Sequence, residues 1–166
     1  MKKIGIKCVS ILLLLVFVSF YVIWDRGRVK DWGFEANAPA WLPKGAEEVT
    51  FLRTGSSYLA EFKIEEKELS KWCRDTGMGL GMLLGSEEKV VQRPHVALAE
   101  RGLIEPFSLP KEGVTEWDLY RQKKWREMKF VVGDYFFTFP YDLTKPRKYT
   151  LAYDVNKRKA YYSRSF

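Results

Sequence analysis

An apolar stretch near the start of the chain constrains its architecture more than any other feature. Residues 8–24, CVSILLLLVFVSFYVIW, carry no charge and have only two serines as polar interruptions. At a helical rise of 1.5 Å per residue, this stretch reaches about 26 Å, close to the roughly 30 Å hydrocarbon core of a bilayer. Tyr21 and Trp24 stand where interfacial aromatic residues are common. The stretch predicts a single transmembrane helix.

The competing interpretation of this segment is a cleaved signal peptide, because Lys2, Lys3 and Lys7 form a basic region before the apolar core. Cleavage needs small residues directly after that core, whereas residues 20–24 are bulky. We therefore expect an uncleaved anchor. The positive-inside rule narrowly favours a cytoplasmic N-terminus. This orientation predicts an inner (cytoplasmic) membrane protein whose C-terminal domain is extracytoplasmic.

The anchor divides the chain into segments. Residues 1–7 are expected to form a short cytoplasmic N-terminus, residues 8–24 the transmembrane anchor, residues 25–46 a juxtamembrane linker, and residues 47–166 the extracytoplasmic domain. The linker is inferred from glycine, proline, alanine and charge in place of a periodic pattern. Within it, the stretch Trp41-Leu42-Pro43 is expected to dock onto the domain.

The domain is predicted to be α+β, with a small, mainly antiparallel sheet packed on one helix. Alternating apolar residues predict strands over 48–53 and 58–64, joined by the turn sequence TGSS. Glu66 to Thr76 has helical spacing of its apolar residues, and acidic residues fall in its first turn. Gly77 is the expected C-terminal stop of that helix.

Two further hairpins are predicted in the second half of the chain. Residues 128–132 and 135–139 flank a two-residue Gly-Asp turn, which is typical of a tight hairpin. Residues 149–155 and 159–163 flank the sequence NKR. The face shared by the alternating residues Tyr149 to Val155 is expected to pack in the core.

The middle of the chain gives weaker signals. The glycine-rich residues 77–85 do not fit a phosphate-binding pattern and predict an apolar turn that covers the sheet edge. Residues 89–94 favour a strand. Residues 95–113 have short helical character broken by prolines and are expected to form a surface excursion. Cys73 is expected to be a buried thiol, with an intermolecular disulfide as the alternative.

Catalytic signatures are weak. His95 is the only histidine, and it lacks a serine elbow or a cysteine partner, so a solvent-facing or structural role is expected. The acidic pairs at 47–48, 65–66 and 87–88 consist of neighbours, which point apart on a strand and lie about 100° apart on a helix. One histidine and one cysteine in the domain cannot form a zinc site. We expect no metal and no cofactor.

The densest basic run is RQKKWREMK, residues 121–129. It could contact an acidic partner or anionic lipid headgroups; the alternative is a solvated face whose Trp125 and Met128 turn inward. Of the 28 basic and 21 acidic residues, six and two lie in residues 1–31, so the domain is nearly balanced and nucleic acid is not an expected partner. The candidate contact residues are Arg121, Lys123, Lys124, Trp125 and Arg126, with Tyr161 and Tyr162 of the closing hairpin.

Several short motifs recur together in this domain. They are Trp41-Leu42-Pro43 with Ala46, the sequence EFKI at 61–64, an acid-led helix ending near Trp72, and the closing sequences AYD at 152–154 and AYY at 160–162. Over roughly residues 41–76 and 133–163, the chain resembles an uncharacterised family of small bacterial membrane-anchored or exported proteins. The resemblance implies an envelope-located small α+β domain and brings no catalytic residues.

The sequence therefore favours a membrane-anchored, extracytoplasmic binding or interaction module of the bacterial cell envelope, without enzymatic activity. Another envelope protein is the expected partner. Two alternatives stay open. One is an immunity protein that neutralises a toxin, which rests only on size and location. The other is an envelope hydrolase that uses His95 or an acidic pair.

Overall fold

The fold is that of a computed structural model, which describes residues 2–84, 88–106, 113–139 and 148–166. Helices and strands alternate irregularly along the chain. In chain order they are α1 (Lys2–Gly27), β1 (Val29–Ala36), β2 (Glu47–Thr54), β3 (Ser57–Lys63), α2 (Glu66–Thr76), β4 (Lys89–Gln92), α3 (Pro94–Glu100), α4 (Glu116–Arg126), β5 (Glu127–Phe130), β6 (Tyr135–Phe139), β7 (Lys148–Asp154) and β8 (Lys159–Ser165).

The main sheet has six strands in the order β1-β2-β3-β8-β7-β6, and β4 and β5 form a separate two-stranded sheet. Every pairing is antiparallel. The predicted α+β class with a mainly antiparallel sheet is confirmed. The predicted β2–β3 and β7–β8 hairpins are also confirmed, and β3 joins them by pairing Glu61 with Tyr161 of β8.

One face of the main sheet carries the larger core. Residues such as Phe62, Leu151 and Tyr153 point to this face and pack with Leu69 and Cys73 of α2. The bounds of α2 match the predicted helix, and Gly77 ends it with a left-handed φ of +67°. The prediction of a buried Cys73 thiol is confirmed. Burial raises the pKa of this thiol to about 11, so it stays protonated at neutral pH.

The opposite face of the sheet is also covered. Val96 and Leu98 of α3 are buried, and α3 packs on β2 and β3. Phe130 of β5 packs with Ala152 and Tyr161 on the same face. The expectation of a sheet packed on one helix is therefore wrong, and so is the expectation that α3 lies in a surface excursion. Short apolar helices cannot be told from loops by periodicity when prolines flank them.

The segment predicted as a juxtamembrane linker contains an edge strand. β1 pairs with β2, although its register shifts twice, between Val29 and Asp31 and between Gly33 and Ala36. These irregularities and its exposed side chains hide the alternation on which strand prediction depends. The expected docking of Trp41 is confirmed, because its ring stacks on Tyr58 with centroids 5.0 Å apart.

The hairpin predicted around Gly133 is wrong. A turn is present, since the Asp134 amide donates to the Val131 carbonyl at 3.0 Å and Gly133 has a φ of +92°. The strands on either side nevertheless separate, because β5 pairs with β4 and β6 pairs with β7. The chain changes sheets at this turn.

The glycine-rich segment after α2 covers the β6 edge of the sheet, as predicted, over its described residues 77–84. The Phe136 amide donates to the Gly81 carbonyl at 2.7 Å, and the Leu83 amide donates to the Asp134 carbonyl at 2.7 Å. A Cβ at Gly79 would lie 2.8 Å from the Phe137 ring, so this close approach requires glycine.

α1 is joined to the rest of the chain at its C-terminal end. The Ser56 hydroxyl donates to the Arg26 carbonyl at 3.0 Å, and Arg101, just after α3, donates to the Gly27 carbonyl at 3.2 Å. Side chains 11–24 of α1 are all exposed. Within the described parts of the chain, no helix combines the length and apolar character needed to cross a membrane.

Candidate functional site

The basic run that the sequence singles out lies on α4 and the start of β5. α4 begins with a reciprocal capping box, in which the Asp118 amide donates to Thr115 Oγ1 at 3.2 Å and the Thr115 amide donates to Asp118 Oδ2 at 3.0 Å. Hydrogen bonds from Thr115 lower the pKa of Asp118. Acidic residues in the first turn and cations in the last complement the helix dipole.

The inner side of α4 rests on α3 through Trp125. The Trp125 and His95 rings lie 4.3 Å apart, and His95 Nε2 donates a hydrogen bond to the Trp125 carbonyl. The Arg93 amide donates to the Arg126 carbonyl at 2.8 Å. Trp125 and Met128 turn inward, as in the alternative interpretation of the basic run, since Trp125 is half-buried and Met128 packs in the smaller core, so Trp125 is corrected as a contact residue. Trp125 is thus a positioning residue.

The outer side of α4 is exposed, and none of its residues is buried. Trp117 is 59% exposed and Tyr120 is 55% exposed, and their rings stack with centroids 5.3 Å apart. The Arg121 guanidinium lies 5.5 Å from the Trp117 ring centroid. We define the α4 surface by its exposed aromatic, aliphatic and basic residues: Trp117, Leu119, Tyr120, Arg121, Lys123, Lys124 and Arg126.

A groove of about 450 Å³ runs between α4 and the β4–β5 sheet. Val90 and Leu119 supply its apolar lining, and Lys123 and Arg126 bring two cations to it. Gln92, Gln122 and Glu127 complete the lining. The groove is shallow and mixes apolar, amide and charged groups, so it suits a polar or amphipathic contact better than a buried apolar ligand.

Tyr161 and Tyr162, the other candidate contact residues, do not belong to this surface. Tyr161 is only 7% exposed and lies on the α3 face, whereas Tyr162 is 4% exposed and packs edge-on against Trp72 on the α2 face. Burial raises the pKa of both phenols. Neither side chain can offer a contact area to a partner, so the expectation that they do is corrected.

A buried ion cluster lies beneath α3. Glu61 of β3 receives two hydrogen bonds from Arg93, from Nε at 2.8 Å and from Nη2 at 2.6 Å, and Lys159 Nζ lies 2.6 Å from the same carboxylate. Burial alone would raise the pKa of Glu61, but the hydrogen bonds and charges of Arg93 and Lys159 hold the pKa below its ordinary value. Glu61 therefore stays ionised and acts as a structural anion.

His95 is buried next to this cluster. Burial lowers its pKa, and the charge of Arg93 lowers it further, against the opposing effect of the bond to the Trp125 carbonyl. His95 is therefore neutral at pH 7. The predicted structural role fits this position. His95 is only 3% exposed and its ring packs against Trp125, so no substrate can reach it and the geometry does not support a general-base role.

The structure does not gather the residues of the hydrolase alternative. Glu65 pairs with Arg158 at 2.5 Å, and Glu66 accepts a hydrogen bond from Tyr135 at 2.7 Å, both on the α2 side of the sheet. His95 lies on the α3 side. In the part of the chain that the structure describes, no three His, Cys, Asp or Glu side chains cluster as a metal site would require.

Sequence reasoning missed two features of this region. The aromatic half of the α4 surface was not singled out, although the sequence EWDLY directly precedes the basic run. The Glu61 cluster gave no local signal, since Arg93 lies 32 residues further along the chain. The only hint of the cluster in the sequence is Glu61 itself, an acidic residue within an otherwise apolar strand. If both faces of the sheet are covered, such a residue must be buried and needs cationic partners.

Comparison with protein-family models, with curated proteins and with solved structures finds no match to this chain. The interpretation of the α4 surface therefore rests on its geometry and chemistry.

Proposed function

We propose that this protein is a membrane-anchored, extracytoplasmic binding module of the bacterial cell envelope, and that the α4 surface is its contact site. The observation that carries the proposal is the exposed stack of Trp117 on Tyr120 beside the cations of α4. Aromatic residues and arginine are the side chains that contribute most to recognition surfaces. His95, Glu65 and Glu66, by contrast, are engaged in structural contacts.

The anchor is the second part of the proposal. Residues 8–24 are almost wholly apolar, and the described side chains of this stretch are exposed around the whole circumference of α1. A helix that is apolar on all sides needs an apolar environment. Membership in the family of small membrane-anchored or exported proteins stays a prediction consistent with this proposal.

Topology is the first measurement, because no described helix meets the requirement for crossing a membrane. A C-terminal alkaline phosphatase fusion should be active in cells, and a C-terminal fluorescent protein that folds only in the cytoplasm should be dark. The opposite pattern would place the domain in the cytoplasm and refute the extracytoplasmic assignment. Resistance of the full chain to extraction by alkaline carbonate would support membrane integration.

Another envelope protein, the partner that the sequence favours, is a second candidate occupant of the α4 surface. If a protein binds there, a photo-crosslinking amino acid at position 117 or 120 captures the same protein in living cells. The matched control is a crosslinker at Lys67, an exposed position on α2. Capture of that protein from position 67 as well, or of no protein from positions 117 and 120, would count against α4 as the contact site for a protein.

A further inference from the structure

We infer that the α4 surface contacts the anionic headgroups of the bilayer that holds α1. This inference rests on the proposed function and names the chemistry that its site recognises. The occupant is a membrane surface rich in anionic phospholipid, and the helix binds it side-on, with its aromatic rings at the headgroup level.

The charges of α4 support this occupant. Four cations and no acid fall within residues 121–126. Among the described residues, Lys123, Lys124 and Arg126 form no ion pair, whereas Lys63, Lys129 and Lys159 each pair with a glutamate. A cation near an anionic bilayer strengthens binding by about fivefold, so several uncompensated cations close together favour such a surface.

The order of the exposed aromatic, aliphatic and basic side chains along α4 also supports an anionic membrane surface as the occupant. Around α4, each exposed aromatic or aliphatic residue has a cation three or four positions later, as in Trp117 with Arg121 and Tyr120 with Lys124. This interleaving leaves no continuous apolar patch, and charges are depleted at the centres of protein interfaces. Headgroups accommodate it, because tryptophan and tyrosine favour the membrane interface while lysine and arginine extend to the phosphates.

The position of α4 relative to α1 completes the argument. The Arg126 carbonyl bonds the Arg93 amide at the start of α3, and Arg101 at the end of α3 bonds the Gly27 carbonyl at the end of α1. At 1.5 Å per residue, α3 and the Arg101 side chain separate these points by at most about 20 Å. The basic end of α4 is therefore held near the place where α1 leaves the membrane.

The test is hydroxyl-radical footprinting of the full chain in nanodiscs. One set of discs contains phosphatidylcholine alone, and the other contains 30% phosphatidylglycerol. The oxidation rates of Trp117 and Tyr120 should fall at least threefold in the anionic discs, and 0.5 M NaCl should restore them. The exposed Met82, which pairs with Tyr135 at the opposite edge of the sheet from β1, serves as the internal reference and should oxidise equally in both sets.

A matched pair of variants separates charge at α4 from charge elsewhere. K123Q/K124Q/R126Q should abolish the protection, whereas K67Q/K71Q/R74Q, which removes three exposed cations from α2, should retain it. Circular dichroism confirms that both variants fold. Equal oxidation in the two sets of discs, or protection that survives K123Q/K124Q/R126Q, would overturn the inference.

Other outcomes separate this inference from the proposed function. If Trp117 and Tyr120 are open in both discs but protected in native membranes, a protein covers the α4 surface and the lipid assignment fails. If the chain floats only with anionic vesicles and is released by salt, the anchor is refuted while the headgroup contact stands. If it integrates into both lipids without protection, the anchor stands and the inference fails.

Discussion

Arg93 holds the buried carboxylate of Glu61 through two parallel hydrogen bonds, at 2.8 and 2.6 Å. The two residues belong to different elements, since Glu61 lies in the centre of β3 and Arg93 directly precedes α3. Lys159 of β8 reaches the same carboxylate. This contact fixes α3 on the sheet, and through His95 and Trp125 it also fixes the position of α4.

Loss of the Glu61 charge should destabilise the domain strongly. Glu61→Gln leaves Arg93 and Lys159 facing each other without an anion, and breaking a buried ion pair costs about 3 to 5 kcal/mol. Glu48→Gln is the matched control, because the Glu48–Lys63 pair is exposed and such pairs contribute about 1 kcal/mol or less. Urea denaturation of the full chain in detergent measures both. Similar losses for the two variants would contradict the role assigned to Glu61.

The free energy of unfolding should fall as the pH falls below about 6.5. The pKa of His95 is lower in the folded chain, so the unfolded chain takes up the proton first and acid favours unfolding. The stabilisation is complete above the unfolded pKa and is lost as the pH falls toward the folded pKa. The pKa of Glu61 is also lower in the folded chain, so the free energy of unfolding should fall a second time below about pH 4.5, where the unfolded chain takes up this proton first.

His95→Gln provides the control for this pH dependence. His95 is the only histidine, so the variant should have a nearly flat free energy of unfolding between pH 5 and 6.5, while the fall at lower pH remains. Thermal or urea unfolding at half-unit pH steps measures the slope. An unchanged slope in the variant would show that His95 does not cause it.

Gly55→Ala should loosen the junction between α1 and the domain. A Cβ at this position would collide with the Asp25 carbonyl and lie 3.0 Å from the Arg26 Cα. Overpacking of this kind costs about 1 to 3 kcal/mol. Gly45→Ala is the control, because the nearest atom to its Cβ would be a Glu68 side-chain carbon at 3.7 Å.

Limited trypsin digestion at Arg26 and Arg28 reads out this junction directly. Cleavage there should be faster in Gly55→Ala than in the parent chain and unchanged in Gly45→Ala. Equal digestion rates in all three chains would mean that the β2–β3 turn does not hold the end of α1.

Asp134→Ala should destabilise the place where the chain changes sheets. Asp134 is buried and accepts from the Val131 amide at 2.8 Å and from the Val155 amide at 3.0 Å. Leaving such donors unpaired costs about 1 to 3 kcal/mol. Asp134→Asn keeps one acceptor oxygen and should lose less stability in urea unfolding. The reverse order of the two variants would rule out this capping role.

Local patterns account for the elements that were predicted correctly. α2 carries its own signals in acidic first-turn residues, buried Leu69 and Cys73, and Gly77. The β7–β8 hairpin depends on a short turn between alternating strands. The turn at Gly133 has the same sequence pattern, a short turn between two alternating segments. Its flanking strands do not pair with each other, because each pairs with a strand from elsewhere in the chain. Phe137 pairs with Leu151 of β7, and Met128 pairs with Val91 of β4.

The candidate site was only half predictable for a related reason. Basic residues at 121–126 are visible as a run, but exposure decides which aromatic residues can reach a partner, and exposure is set by the whole fold. The sequence gives Tyr161 and Tyr162 the same appearance as Trp117 and Tyr120. In the structure, helices and strands cover both faces of the main sheet, so Tyr161 and Tyr162 are buried. Trp117 and Tyr120 lie outside the core and are exposed.

The two edge strands of the main sheet, β1 and β6, are protected from pairing with another chain in different ways. β6 is covered by residues 79–83, while the outer edge of β1 has no strand partner among the described residues. β1 carries two register shifts and a left-handed Glu35 with φ of +50°. A straight strand from a neighbouring copy cannot match this interrupted ladder. Neighbouring copies of the chain are thereby kept from joining edge to edge into fibres.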